Sequence, residues 1–355
     1  MQIERGAMMS LGVGIVGAGP GVSALHLPTL ARMDGVFEVV HVSDGGSGRA
    51  QDLAARVGAR WSTGVADLLA DDRVSVVAVC SPPAQHADQI LAAVAAGKRA
   101  ILCEKPLATS VVDAEAVIDV CRATGTALLV GTNHLYDPAW MRAKHHLLAG
   151  GHRVRAMALT LALPPNGRYH DVVTELGATA SPAASRTAPD LRVPQVAASV
   201  VRQLITGLAV HDLPMLRDLA PVIDDVVFAR AIAPVGYTLG YHASGIPIRM
   251  TTVMLPDGAD ALWRLDITTD TDRLEVAFPP AFVHVGSAQV SVRSASGTTT
   301  TYPTTPDDGY LAEWRALADV LDGTTVVEYD ELLEDARYAI ALADAAAELI
   351  VGAER

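Results

Sequence analysis

The sequence predicts an α/β protein. An N-terminal doubly wound parallel sheet precedes a C-terminal α/β domain with a large, mostly antiparallel open sheet. Three observations carry this reading. Over residues 11–150, continuous apolar runs alternate with helical patterns of about 10–15 residues, as buried parallel strands and their crossover helices do. A glycine-rich turn closes the first run. From residue 153 onward, shorter alternating segments follow one another between turn signals.

The elements justify themselves in order. "LGVGIV" is a strand that runs into "GAGPG", and "VSALHLPTLARM" after it has helical spacing. "FEVVHVSD" is the second strand, ending at Asp44, and "GRAQDLAARVG" is a helix stopped by Gly58. "VSVVAVCSPP" leads to the helix "AQHADQILAAVAAG", with Gly97 as its stop. "RAILCEKP" is the next strand. Ser110 caps "SVVDAEAVIDVCRATG", and "ALLVGTNH" completes the series. In the second half, "RVRAMALTLAL", "DDVVFARAIA", "IPIRMTTVML", "ALWRLDITTD", "DRLEVAFP" and "AQVSVRSASG" read as strands. "QVAASVVRQLITGLAVHDLPMLRDL" reads as one helix, and "DGYLAEWRALADVLDG" and "DELLEDARYAIALADAAAELIVG" as two closing helices. The Pro/Ser/Ala/Thr-rich segment 178–194 reads as a long loop, linker or lid. The expected division is a loose leader over 1–10, a doubly wound domain over 11–150, a second sheet domain over 151–305, and C-terminal helices over 306–355.

Composition narrows the function. At 355 residues the chain can bury about two cores. Its net charge of −13 argues against nucleic-acid and anionic-membrane partners, both of which need a basic face. No window approaches the roughly 18 consecutive apolar residues of a membrane helix. The opening "MQIERGAMMS" lacks the apolar core of a signal peptide, so it is expected to be a leader only. Cys80, Cys103 and Cys121 are widely spaced and odd in number, and Cys80 and Cys103 end apolar strands. Free thiols in a reduced, cytoplasmic protein are expected, without a disulfide framework and without metal-ligand spacing.

The turn supplies Gly17, Gly19, Pro20 and Gly21 between the first strand and the first helix, where a pyrophosphate would meet the helix N-terminus. A plain structural turn would use the same glycines. Asp44 ends the second strand 25 residues after Gly19, the position from which a carboxylate accepts the hydrogen bonds of an adenosine ribose. It repels a 2′-phosphate, and the nearest Arg is Arg49, so NAD is favoured over NADP. The chain has no Walker loop, no Tyr with a Lys four residues on and no zinc-dehydrogenase Cys/His spacing.

Lys105 is the best catalytic candidate. It lies at the carboxyl end of a strand, the edge where doubly wound sheets bind ligands. Strand alternation sends Glu104 to the other side, and Pro106 restricts the backbone of Lys105. An ammonium there can hydrogen-bond a substrate oxygen, stabilise an alkoxide and relay a proton.

Together, "GIVGAGPG…H", "VVAVCSPPAQHADQILAAVAAGKRAILCEKPLA" and "LLVGTNHLYDPAW" resemble the glucose–fructose oxidoreductase/inositol dehydrogenase/MocA family. The likeness is close over 11–150 and looser beyond, where "GLAVHDLPML" and "YLAEWRALADVLDG" still fit. The resemblance implies an NAD(P)-dependent dehydrogenase acting on sugars, sugar derivatives or cyclitols, and a homodimer or homotetramer formed through the large sheet. It assigns catalysis to Lys105 and His211. It places Val22, Ser81, Pro82, His86, Glu104 and Asn133 with the turn glycines, Pro20 and Asp44 at the cofactor.

This chain departs from the family pattern. In Asp-x-x-x-His, the Asp position is Gly207, and Pro214 replaces the Asp three residues after His211. On one continuous helix, residue 207 would share a face with His211, whereas Asp212 would point about 100° away. The glycine turn is one residue longer. Val22 holds the third-glycine place counted from Gly17, and Ser23 holds it counted back from His26. Arg168, Tyr169 and His170 could line a substrate cleft. Arg186 and Arg202 read better as surface charges. Three functions stay open: a net dehydrogenase, an enzyme that keeps its cofactor for epimerisation or elimination, and a non-catalytic dinucleotide sensor.

Overall fold

The first sheet of the computed structural model is fully parallel, and its six strands lie in the order β3-β2-β1-β4-β5-β6. These are β1 (Leu11–Val16), β2 (Phe37–Asp44), β3 (Arg60–Thr63), β4 (Val76–Val79), β5 (Ala100–Glu104) and β6 (Ala127–Gly131). The structure describes residues 10–164, 188–255, 258, 260–280 and 283–353. β4 and β6 are buried at every position, as strands covered on both faces must be. The strand order reverses between β1 and β4, which makes the carboxyl ends of these two strands the ligand crevice of such sheets.

Helices His86–Ala95 and Val111–Thr124 cover one face. They bury Ile90, Ala93, Val94, Ala114, Val117, Ile118 and Cys121 against Val77, Val79, Ile101, Cys103 and Leu128. Ser110 caps the second helix by accepting from the Asp113 N–H at 3.1 Å. The added residue in the glycine turn is absorbed by a π turn, Val22–His26, that leads into the helix Leu27–Ala31. One extra residue per turn is what a π bulge accommodates.

The second sheet has eight strands in the order β14-β13-β12-β11-β7-β10-β9-β8. They are β7 (Val154–Leu163), β8 (Ile223–Ala231), β9 (Val235–Ala243), β10 (Ile246–Met254), β11 (Leu262–Thr269), β12 (Asp272–Ala277), β13 (Gln289–Ser294) and β14 (Thr299–Tyr302). All pairs are antiparallel except β7 with β10. The face made by Met157, Leu159, Leu161, Leu239, Tyr241, Met250, Trp263, Leu265 and Val276 joins Trp140, Val201, Ile205, Leu213 and Leu342 in one core. The other face alternates to small and polar residues such as Thr238, Thr251, Arg264 and Asp266.

Contacts divide the chain into two compact units. One runs to Gly131 and takes in Tyr310–Ala336; the other holds Thr132–Gly309 and the chain from Arg337 onward. The boundary thus falls at the end of β6, whereas the sequence pattern places it at 150. Trp140, Ala143 and Leu147, on the helix Pro138–Ala149, bury in the core of the second sheet. The closing helix Tyr329–Gly352 divides in the same way. Leu332, Leu333 and Ala336 pack on the first core, and Tyr338, Leu342, Ala343 and Ala346 lie in the second.

The long helix expected over 195–219 is three pieces: a helix Pro194–Gly207, a 3₁₀ turn Ala209–His211 and a helix Leu213–Leu219. Among the described residues no helix is long and apolar enough to cross a membrane. The leader residues 1–9 lie outside the described residues, as does most of segment 178–194.

Candidate active site

The candidate groups of the first unit lie at the carboxyl ends of β1, β2, β4 and β5. Gly17 has φ +112°, and a Cβ built on it would stand 2.4 Å from the Cys80 carbonyl oxygen. The turn after β1 therefore presses on the loop after β4 in a way only glycine permits. Gly19 opens on free space: no atom lies within 4 Å of a built Cβ. Gly21 has right-handed helical angles at the start of the π turn, Pro20 is exposed and Val22 is buried. An open glycine turn at a helix start suits a pyrophosphate, which needs the backbone close.

Asp44 ends β2. Its Oδ1 accepts the N–H of Gly46 at 2.8 Å and of Ser47 at 3.2 Å. Its Oδ2 accepts the N–H of Ala50 at 3.1 Å and the Ser47 hydroxyl. Burial opposes the charge, but these bonds, led by that from Ser47, hold the carboxyl below its usual range. An ionised carboxylate thus marks the loop beyond β2.

Ser81 and Pro82 follow β4, and the Ser81 hydroxyl donates to Gln89 Oε1 at 2.6 Å. His86 is fully buried, with Nε2 2.8 Å from the Ser81 carbonyl oxygen and Nδ1 2.8 Å from that of Pro106. Its ring therefore braces the loop after β4 against the loop after β5. That bracing, rather than contact through a ring nitrogen, is what the geometry gives His86.

Lys105 stands one residue beyond β5, followed by a cis peptide bond to Pro106. Burial lowers the pKa of its ammonium below the ordinary lysine value, and the Glu104 charge offsets this in part. The Glu104 carboxylate is held on both oxygens: its Oε1 lies 2.8 Å from His26 Nε2, and its Oε2 accepts the Lys105 N–H at 3.3 Å. Burial raises its carboxyl, but the His26 bond and charge, with Lys105, outweigh this and lower it. Trp314 Nε1 donates to His26 Nδ1 at 3.3 Å, which locks the far side of that imidazole.

In the second unit, His211 ends the 3₁₀ turn and is 7 % exposed. The helix stops at Gly207, so positions 207 and 211 do not share a helix face as one continuous helix would require. The sequence does not single out His134, yet its ring lies 5.4 Å from that of His211. Asp212 is fully buried. Its Oδ1 is 2.8 Å from His134 Nδ1, and its Oδ2 accepts Trp263 Nε1–H at 2.8 Å. His134 stacks on Phe278 at 3.8 Å between centroids and 11° between planes, and Trp263 meets His211 edge-on at 5.6 Å. The residue next to His211 thus fixes a second imidazole beside it. The one signal in the sequence is the place of His134 directly after Asn133, at the end of a strand.

Asn133 is buried, and its side-chain oxygen has no hydrogen-bond partner among the described residues. Arg168, Tyr169, His170 and Arg186 lie outside the described residues. Arg202 pairs with Asp344.

Residues 11–132 match the family model described as "Oxidoreductase family, NAD-binding Rossmann fold". Inositol 2-dehydrogenase 3 of Saccharopolyspora erythraea is 38% identical over 144 residues, 40% of this chain and 42% of that protein. Inositol 2-dehydrogenase 2 of the same organism is 32% identical over 228 residues, 64% of this chain and 58% of that protein. The chain thus spans about half the length of the curated relatives it matches. A solved 3-ketoreductase from Actinomadura kijaniata, in complex with NADP and TDP-benzene, shares the fold at a TM-score of 0.72. It is 21% identical, and the match covers 96% of this chain and 98% of that one.

Proposed function

We propose that this chain is an NAD(P)-dependent dehydrogenase of the Gfo/Idh/MocA oxidoreductase family, whose Rossmann-domain model matches residues 11–132. It would act on a hydroxyl or keto group of a sugar, sugar derivative or cyclitol, a class that includes the inositol named for the two relatives above. The observation that carries this reading is Lys105, with its depressed pKa, at the carboxyl edge of the parallel sheet.

Gly17, Gly19 and Gly21 would hold the pyrophosphate, Asp44 the adenosine ribose, and the loops at Ser81–Pro82 and Glu104–Lys105 the nicotinamide end. When bound, the nicotinamide supplies hydride chemistry. Lys105 hydrogen-bonds the reacting oxygen, stabilises its developing charge and takes or returns its proton. His211 is the second acid/base group; it is an imidazole, the side chain whose ordinary pKa lies nearest neutrality. His134, Asp212 and Trp263 hold it in place. Glu104 is held by His26 and keeps a negative charge beside the amine, while His86 ties the two loops together. The ionised Asp44 disfavours a 2′-phosphate, so NAD is the preferred cofactor. The exposed Val227 and Phe228 lie on the open face of the second sheet and support pairing with a second copy of the chain.

The test is the ultraviolet absorbance of reduced nicotinamide with a panel of polyols, run with NAD and NADP in parallel. Net reduction that is faster with NAD is expected. Product change without net reduction would move the reading to cofactor-retaining epimerisation or elimination. Cofactor binding without turnover of any kind would leave only a sensor.

Gly207 offers a second test. Nothing lies within 4 Å of a Cβ built there, and its φ is not left-handed. Gly207→Asp gains helix propensity but places a negative charge at a helix C-terminus, so its stability change stays within about 1 kcal/mol. The variant is expected to melt close to the parent and to show an altered kcat/KM for polyols. A loss of several kcal/mol in a denaturant melt would show that the position is not open.

A further inference from the structure

We propose that His146, His152 and Asp272 form a binding site for Zn2+ or a similar borderline divalent cation, with one coordination position left open. The sequence gives no hint of it, because Asp272 lies 126 residues beyond His146 and the fold alone unites them. His146 lies in the last turn of the helix Pro138–Ala149, His152 follows the Gly150–Gly151 turn, and Asp272 opens β12. One nitrogen from each imidazole and one carboxylate oxygen lie within 4.8 Å of one another.

Both Nε2 atoms converge on a single oxygen. His146 Nε2 is 2.8 Å and His152 Nε2 is 3.4 Å from Asp272 Oδ2. A tetrahedral ion with metal–ligand bonds of about 2.0–2.1 Å sets its ligand atoms about 3.3 Å apart, so small adjustments of three side chains suffice. The rings lie nearly parallel, 5.0 Å between centroids and 15° between planes, and both edges face the carboxylate. The Nδ1 of His152 is 2.7 Å from the Thr271 hydroxyl, which fixes the ring with Nε2 toward Asp272, as outer partners of metal-bound imidazoles do. Asp272 is 7 % exposed, and its backbone N–H is taken by Thr269 Oγ1 at 2.7 Å, so its position is set by the hairpin.

Access and chemistry agree. His146 and His152 line an open pocket of about 600 Å³. Two imidazoles and one carboxylate suit zinc and its neighbours rather than Mg2+ or Ca2+, which prefer all-oxygen sites. Three protein ligands leave a fourth position for water or a small ligand from the pocket. The bound ion would clamp the end of the Pro138–Ala149 helix to β12. None of the three residues takes part in the proposed dehydrogenase reaction.

The experiment titrates untagged, chelator-treated full-length protein with Co2+ alone, read by visible d–d absorption, and with Zn2+ alone, read by calorimetry. One equivalent is expected to bind, and the cobalt bands to have tetrahedral or five-coordinate intensity. His146→Gln, His152→Gln and Asp272→Asn are each expected to weaken binding by at least roughly 10–100-fold, with unchanged circular dichroism and unchanged nicotinamide binding. Parent protein that binds less than one equivalent, or variants that bind as the parent does, would overturn the site and leave a histidine–carboxylate hydrogen-bond clamp.

Discussion

Lys105→Ala is expected to lower turnover by about 10²–10⁴-fold, the span that a positioned proton-transfer group contributes, while leaving cofactor affinity within a few-fold of the parent. The Lys105 side chain begins just past β5, whereas the glycine turn and Asp44 belong to β1 and β2, so its truncation leaves the pyrophosphate and ribose groups in place. Burial lowers the pKa of its ammonium. In alcohol oxidation the group must accept a proton, so the rate rises with pH until the amine is neutral. That limb is expected below the ordinary lysine value and disappears in the Ala variant. In ketone reduction the same group must be protonated, so the limb inverts and activity falls as pH rises through it. An Ala variant with parental kcat, or a parental profile flat across that limb, would remove Lys105 from the chemistry.

Much of the first unit is legible because its physics is local. Buried parallel strands read as apolar runs, and the turn at Gly17–Gly21 must use glycine where its backbone presses on Cys80. The extra residue of that turn is visible as a count, but its accommodation by a π turn over Val22–His26 is not. Edge strands are harder. β3 (RWST) and β14 (TTTY) are short and exposed, so they carry no apolar alternation.

β9 hides for another reason: its glycines read as turns. At Gly240 a built Cβ would lie 2.4 Å from Phe228 Cε1, so the glycine is present because the neighbouring strand lays an aromatic ring over it. The break after Gly207 hides similarly, since the apolar spacing continues through Leu208 and Val210 while the backbone leaves the helix.

Partnerships between distant residues are the least legible. Helical periodicity points Asp212 away from the His211 face, and that same direction takes it to His134, 78 residues earlier, and to Trp263, 51 residues later. His146 and Asp272 show the same limitation, because hydrogen-bond partners this far apart leave no periodicity in the chain.

Asp212→Asn tests that buried centre, and it is expected to cost more stability than either Lys105→Ala or Gly207→Asp. The parent carboxylate faces two donors, the His134 ring and the Trp263 indole N–H, each at 2.8 Å, and no part of the residue reaches solvent. Asparagine offers a single acceptor oxygen, so its amide N–H confronts a donor unless the His134 ring moves its proton to Nε2 to accept it. Leaving a buried donor unsatisfied costs about 1–3 kcal/mol, which thermal or urea melts would read directly. Activity is expected to fall as well, because His134 and Trp263 both pack on the His211 ring. His134→Phe keeps a flat ring against Phe278 but removes the donor, and combining it with Asp212→Leu removes both polar partners. The double variant should therefore be less destabilised than the sum of its two single variants, a coupling that a double-mutant cycle isolates. Strict additivity, or an Asp212→Asn protein that melts with the parent, would show that the carboxylate does not hold the pair of imidazoles together.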